Sequence, residues 1–288
     1  MKRKLAIFLT AFLALFLVAN SASAFNMVGV DAEDSLSIKF ENWENLTDPA
    51  YFLQNPGDLA DGVEDNFGIF EITTIRNLEQ GATNPAWNSG QDGEYLVGVF
   101  YGIDVSAVTP LSADEVNVQS IGGHFDIYLA NANTFDAFQG TGGYIADADG
   151  IAHNDYAGIT DQGYSLFLSF DLIPGIDSST NATIDGNFDT GTDPDSGDAA
   201  WFAQTTGGDY QWMFDTDGFT TSHGTTADLR GLNDFTENNG TEFPLTGDWD
   251  YKSDDPIYAN VVPEPTTMLL LGFGLLGLAG VSRKRNNV

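Results

Sequence analysis

The chain has 288 residues, a formal net charge of −32 and no cysteine. Residues 25 to 262 hold 41 Asp and Glu against only Lys39, Arg76, Arg230 and Lys252, a formal charge of −37. That balance excludes nucleic acid and anionic lipid surfaces as partners, and the missing thiols exclude disulfides, thiolate nucleophiles and Cys-ligated zinc.

At the start, Lys2, Arg3 and Lys4 precede an apolar run from Leu5 to Val18, a polar break at Asn20 and Ser21, and then Ala22-Ser23-Ala24. A basic region, a short apolar core and an A-x-A site predict a signal peptide over residues 1–24. Signal peptidase is then the first partner, Ala22 and Ala24 are the cleavage-site residues, and the mature chain begins at Phe25. The apolar run is shorter than the ~20 residues that a membrane span requires.

The body is expected to occupy residues 25–250. Leu36 to Phe40 and Gly68 to Ile75 are short strand candidates, and Tyr95 to Val105 alternates most clearly. There Tyr95, Val97, Val99, Tyr101, Ile103 and Val105 share one face, with Leu96, Gly98, Phe100 and Gly102 on the other. Phe125 to Leu129 and Leu166 to Leu172 repeat the two-residue period, and Ala199 to Ala203 and Tyr210 to Phe214 are shorter candidates. Gly, Asn, Asp, Ser and Thr clusters separate these runs and supply turns. The stretch from Asp177 to Asp198 is poor in large apolar residues and reads as a long surface loop. With no long amphipathic helix and no fixed repeat, the fold class is all-β, an antiparallel β-sandwich or jelly-roll-like domain. A signal-peptide helix and a C-terminal transmembrane helix flank it.

The chemistry-bearing residues of the body are mostly carboxylates, with 31 Asp to 10 Glu. Asp147-Ala148-Asp149-Gly150 and Asp215-Thr216-Asp217-Gly218 resemble the opening of a calcium loop, but Ile151 and Phe219 stand where the next ligand belongs, which rejects an EF-hand. Asp189, Asp193 and Asp195 lie in a second acidic stretch, with Asp185 and Asp198. Calcium at Asp147, Asp149, Asp189, Asp193, Asp195, Asp215 or Asp217 is therefore the one cofactor candidate. A solvated acidic loop with Asx-turns is the plainer account of the same residues. No catalytic residue is assigned: there is no G-x-S-x-G elbow and no H-E-x-x-H helix, and His124, His153 and His223 are far apart in sequence. Five tryptophans could stack on sugars, although Trp201 and Trp212 sit in strand-like runs that suit core packing equally.

After about residue 250 the chain reads as a tether, with residues 251–265 a linker that ends in Pro263-Glu264-Pro265. An apolar stretch then runs from Thr266 to Val281, with the transmembrane helix set at 266–282, and Arg283, Lys284 and Arg285 open a basic cytoplasmic tail at 283–288. Sixteen apolar residues give about 24 Å of helix, marginal for a span, and the basic cluster favours the cytoplasmic side. The prolines keep the box extended and accessible. This order of parts resembles the PEP-CTERM sorting signal. The resemblance implies that an exosortase recognises Pro263, Glu264 and Pro265, with Arg283, Lys284 and Arg285 completing the signal, and removes the tail. It further implies a membrane-held precursor delivered to the surface or matrix of a Gram-negative, exopolysaccharide-producing bacterium. The expected function is thus non-enzymatic, structural or adhesive, with exopolysaccharide as a candidate partner. A calcium-dependent carbohydrate-binding module is the first alternative and a secreted glycan hydrolase the second.

Overall fold

The computed structural model describes residues 25, 27, 30, 34–79, 85–131, 159, 163–191, 195–237, 251–253 and 256–262. Its strands are β1 (Ser35–Leu46), β2 (Asn66–Asn77), β3 (Trp87–Asn88), β4 (Glu94–Pro110), β5 (Glu115–Asn131), β6 (Ser165–Ile173), β7 (Ile184–Asp189), β8 (Ser196–Gly207), β9 (Phe219–Thr220), β10 (Thr226–Ala227), β11 (Leu229–Glu237), β12 (Tyr251–Ser253) and β13 (Pro256–Asn260). Two short helical turns, α1 (Pro49–Gln54) and α2 (Gln211–Phe214), interrupt them.

The all-β, antiparallel expectation holds, but eleven of the thirteen strands form one large sheet that closes, with β9 and β10 paired separately, where a sandwich would need two facing sheets. Pairings lead from β1 through β2, β4, β5, β6, β8, β11 and β13 and return to β1. Two of the eight staves are shared. β7 takes the place of β6 between β5 and β8 at one end, and β12 takes the place of β13 between β1 and β11. Closure satisfies the backbone groups that a free edge would leave open.

Alternation decides what fills the barrel. Leu36, Ile38 and Phe40 of β1 point inward with Phe70 and Ile72 of β2, Phe125 and Ile127 of β5, and Leu168, Phe170 and Leu172 of β6. Rings stack across neighbouring strands, Phe100 on Phe125 at 5.1 Å, Phe125 on Phe170 at 4.8 Å, and Phe170 on Trp201 at 5.9 Å. Such cross-strand aromatic pairs fix the register as well as the core. Outside stand Lys39, Glu41, Glu71, Asp126 and Asp171, the reverse of a barrel that faces lipid. A second apolar cluster, Trp43, Ile69, Val97, Val99 and Ala130, lies on the outer face and is covered by Ile159 and Tyr164.

Two glycine positions shape the wall. Gly102 and Gly122 lie close together on β4 and β5, where Gly122 is paired with Ile103; both are at φ 74°, and a Cβ on Gly122 would stand 2.3 Å from the Gly102 carbonyl oxygen. This kink breaks the expected face of β4: Ile103 joins Leu96 and Phe100 inside, while Val97 and Val99 stay outside. At Gly231, a Cβ would meet the Trp201 indole at 1.9 Å, so only hydrogen lets that ring lie flat on β11.

Three stretches differ from their expected form. The loop expected from Asp177 to Asp198 contains β7 and the start of β8. Tyr210 to Phe214 is a helical turn across one barrel end. Tyr251–Ser253 and Pro256–Asn260, expected to be linker, are staves of the sheet, with Ile257, Ala259 and Val261 buried in the core. Among the described residues no helix is long and apolar enough to cross a membrane; the expected helices at 1–24 and 266–282 lie outside them.

Candidate functional site

The barrel end around α2 brings together residue 25 and residues 261–262. Phe25 is 1 % exposed and packs on Trp87, Phe167 and Tyr210, with ring centroids 5.4, 4.8 and 5.8 Å away. Its backbone N–H donates to Tyr210 Oη at 2.6 Å. On the same turn, Met213 O accepts from Val262 N at 3.0 Å, while Val261 N donates to Asp34 O at 3.1 Å. Phe25 and Val262 are thus held by one five-residue segment, Tyr210–Phe214. The Pro-Glu-Pro box follows Val262 directly in the chain.

The model of the PEP-CTERM protein-sorting motif matches residues 261–285. The chain carries a PEP-CTERM sorting motif. It implies an exported, membrane-anchored precursor that an exosortase processes. No curated protein and no solved structure matches the chain, and the body has no family assignment. Pro263, Glu264, Pro265, Arg283, Lys284 and Arg285 of the motif lie outside the described residues, as do Ala22 and Ala24 at the other end. The PEP-CTERM match begins at Val261, which is a core residue of the barrel, so motif and fold overlap with no spacer.

Asp147, Asp149 and Asp193 also lie outside the described residues. The other calcium candidates are distributed over two places. Asp189 and Asp195 flank the β7–β8 connection, where Asp189 Oδ1 accepts from Gly191 N at 2.9 Å and Asp195 N donates to Glu237 Oε2. Asp215 and Asp217 follow α2, and the loop they open is organised by a different acid. Asp228, fully buried, accepts Thr216 N and Asp217 N on Oδ1, and Gln204 Nε2, Thr205 N and Thr205 Oγ1 on Oδ2. Asp217 itself accepts from Thr226 Oγ1 at 2.6 Å. Among the described residues no three Asp, Glu or His side chains converge to hold a metal ion.

The outer face of β5 and β6 carries a constellation that the spacing of residues did not reveal. The pairing sets His124 opposite Asp171. His124 Nδ1 lies 2.5 Å from Asp171 Oδ1, and Nε2 lies 3.2 Å from both Asp126 Oδ1 and Ser169 Oγ. Serine on one imidazole nitrogen and aspartate on the other is the connectivity of a Ser-His-Asp nucleophile. The charges argue against that use. The hydrogen bond to Asp126, then that to Asp171, pushes the His124 pKa up to about 9 against the opposing effect of burial. At neutral pH the ring is an imidazolium donating to two carboxylates, with no lone pair to take a serine proton. Ser169 is only 5 % exposed. Burial alone would raise Asp126, but hydrogen bonds from His124 and Ser169 carry it below its usual value. Tyr101 stands 5.0 Å from His124, ring to ring, and burial followed by the Asp126 charge pushes its phenol up to about 12. The sequence signal was two i, i+2 pairs, His124/Asp126 and Ser169/Asp171, each on one face of a strand. Only the register joins them.

Proposed function

We propose that the chain is a non-enzymatic protein delivered by the exosortase route to the surface or extracellular matrix of a Gram-negative bacterium, where its barrel has a structural or adhesive role. The observation that carries this reading is the direct join between the sorting motif and a closed, strongly acidic barrel. A closed sheet offers no edge to neighbouring chains at high local concentration, and a charge of −37 keeps bodies apart while attracting cations. The buried seat of Phe25 supports signal-peptide removal after Ala24, because the residue that this cleavage would place first is held in the core beside Tyr210. The protonated, doubly paired state of His124 supports a body without hydrolytic activity.

Intact mass and cell fractionation in the native host test the route, comparing wild type, Glu264→Ala and a strain without exosortase. The expected mature species starts at Phe25 and lacks the basic tail, and both changes leave the tail in place. A species that retains Arg283 to Val288 in every strain overturns the route. A processed protein whose deletion leaves cell aggregation and matrix unchanged overturns the role.

A glycan-binding body is the second reading, favoured by the half-buried tyrosines Tyr101 and Tyr128 beside Asp126 on the outer face. It predicts retention on the host exopolysaccharide that Tyr128→Ala abolishes. A calcium-dependent form predicts that chelation lowers both retention and melting temperature.

A further inference from the structure

An eight-stave barrel has an interior that side chains fill or that holds one small ligand. Here the filling is incomplete. A pocket of about 90 Å³, partly open to solvent, lies beyond Phe40, walled by Phe40, Phe100, Phe125 and Trp201 and by polar residues of the inner face, among them Glu44 and Asn66. Glu44 is 7 % exposed, and among the described residues no cationic side chain pairs with it. Its Oε2 accepts from Asn66 Nδ2 at 3.0 Å, and Asn42 supplies a second hydrogen bond. Asn42 is fixed in turn by Ser253, whose N–H and hydroxyl both donate to Asn42 Oδ1. A carboxylate has about four acceptor positions, so two amide donors leave it half satisfied. Burial outweighs both bonds and raises its pKa. Asn66 Oδ1 beside it is buried with no hydrogen-bond partner. Both deficits are acceptors, so the site lacks donors and positive charge, in surroundings whose aromatic rings favour a cation.

We propose that the barrel interior binds a short alkylammonium cation, its N–H groups on Glu44 and its alkyl end among the aromatic rings. The size follows from the cavity. A dry cavity of about 150 Å³ accommodates the six heavy atoms of benzene, so about 90 Å³ suits three or four, as in ethylammonium or propylammonium. The acidic surface concentrates such cations at the barrel. This site is independent of the sorting route and stands or falls apart from it.

Calorimetric titration of the processed protein with ethylammonium chloride, against matched potassium chloride, is the direct test. Saturable one-to-one binding is expected, weakened at least about tenfold in Glu44→Gln, the loss of a charged hydrogen bond. Glu44→Gln should unfold at the same temperature as wild type or higher, since it has no charge to bury, which separates lost binding from lost fold. The absence of saturable binding by ethylammonium and propylammonium in wild type overturns the proposal. So does equal binding by Glu44→Gln, or binding of n-propanol as tight as that of ethylammonium, which would reveal an apolar void only.

Discussion

Two of the buried carboxylates, Asp228 and Glu44, are treated oppositely. Asp228, near the α2 end, collects five hydrogen bonds, three of them from backbone N–H groups, and ties β8 to the loop after α2. Glu44, toward the far end of β1, receives two side-chain amide donors and faces a cavity. A buried acid with its acceptor positions filled holds backbone in place. One left half filled costs stability and is available to a ligand.

Substituting both acids gives the largest expected contrast. Asp228→Ala strands buried backbone donors on two segments and should cost about 3–5 kcal/mol in urea unfolding. Glu44→Gln should cost nothing or add about 1 kcal/mol, because the amide keeps its shape without a charge. Equal losses at the two positions would erase the difference between the two acids.

Phe25→Ala probes the α2 end from the other side. Removing a fully buried ring from contact with Trp87, Phe167 and Tyr210 should cost about 3 kcal/mol. A loss below about 1 kcal/mol would mean that Phe25 is not part of the core, and its link to the α2 end of the barrel would fail.

How much of this was legible varies with position. β4, β5 and β6 could be read because each alternates over at least five residues. Their inward sets were predictable up to Gly102, where a positive φ shifts the pattern by one residue. β7 escaped because its inner face reads Ile184, Gly186, Phe188, with a glycine in the middle pressed against the Asp198 carbonyl oxygen. β12 and β13 escaped because strands of three and five residues in polar sequence carry too little pattern for a period to show. Tyr210 to Phe214 alternates like a strand, yet it turns at a barrel end, where it holds Phe25 and Val262. The Asp215-x-Asp217-Gly218 spacing drew attention to its own carboxylates, and it gave no sign that the loop it opens is held by a distant residue, Asp228, through backbone N–H groups. His124 and Glu44 were invisible for the same reason, since their surroundings come from neighbouring strands.

Smaller effects should come from the outer surface, as a pH dependence. His124 has a folded pKa of about 9 against a usual 6.5, so its stabilisation is complete below pH 6.5 and lost as the pH rises through about 9. With the side chain 27 % exposed, the loss should be about 1–2 kcal/mol after allowance for solvent screening, and His124→Gln should remove that part of the pH profile. An unchanged profile in the variant would disconnect the ion pairs with Asp126 and Asp171 from stability.

The loop before β2 should act with the same sign in a lower window. Glu64 accepts from Gly102 N, Asp65 from Val105 N at 2.8 Å, and Asp104 from Gly62 N at 2.9 Å, which draws three carboxylates along one edge of β4. Burial lifts Glu64 to about 7 and Asp65 to about 6, with neighbouring acids adding to it. Carboxyls raised in this way bind protons more tightly in the folded state, so the fold gains stability as the pH falls from about 7 toward 4.5. Repulsion across the whole acidic surface works in the same direction, and only the difference between Glu64→Gln and wild type isolates the loop. That difference should be on the order of 1 kcal/mol in favour of the variant at pH 8 and vanish near pH 4.5. A difference that does not change with pH would assign the effect to packing at Gly102 and leave charge out of it.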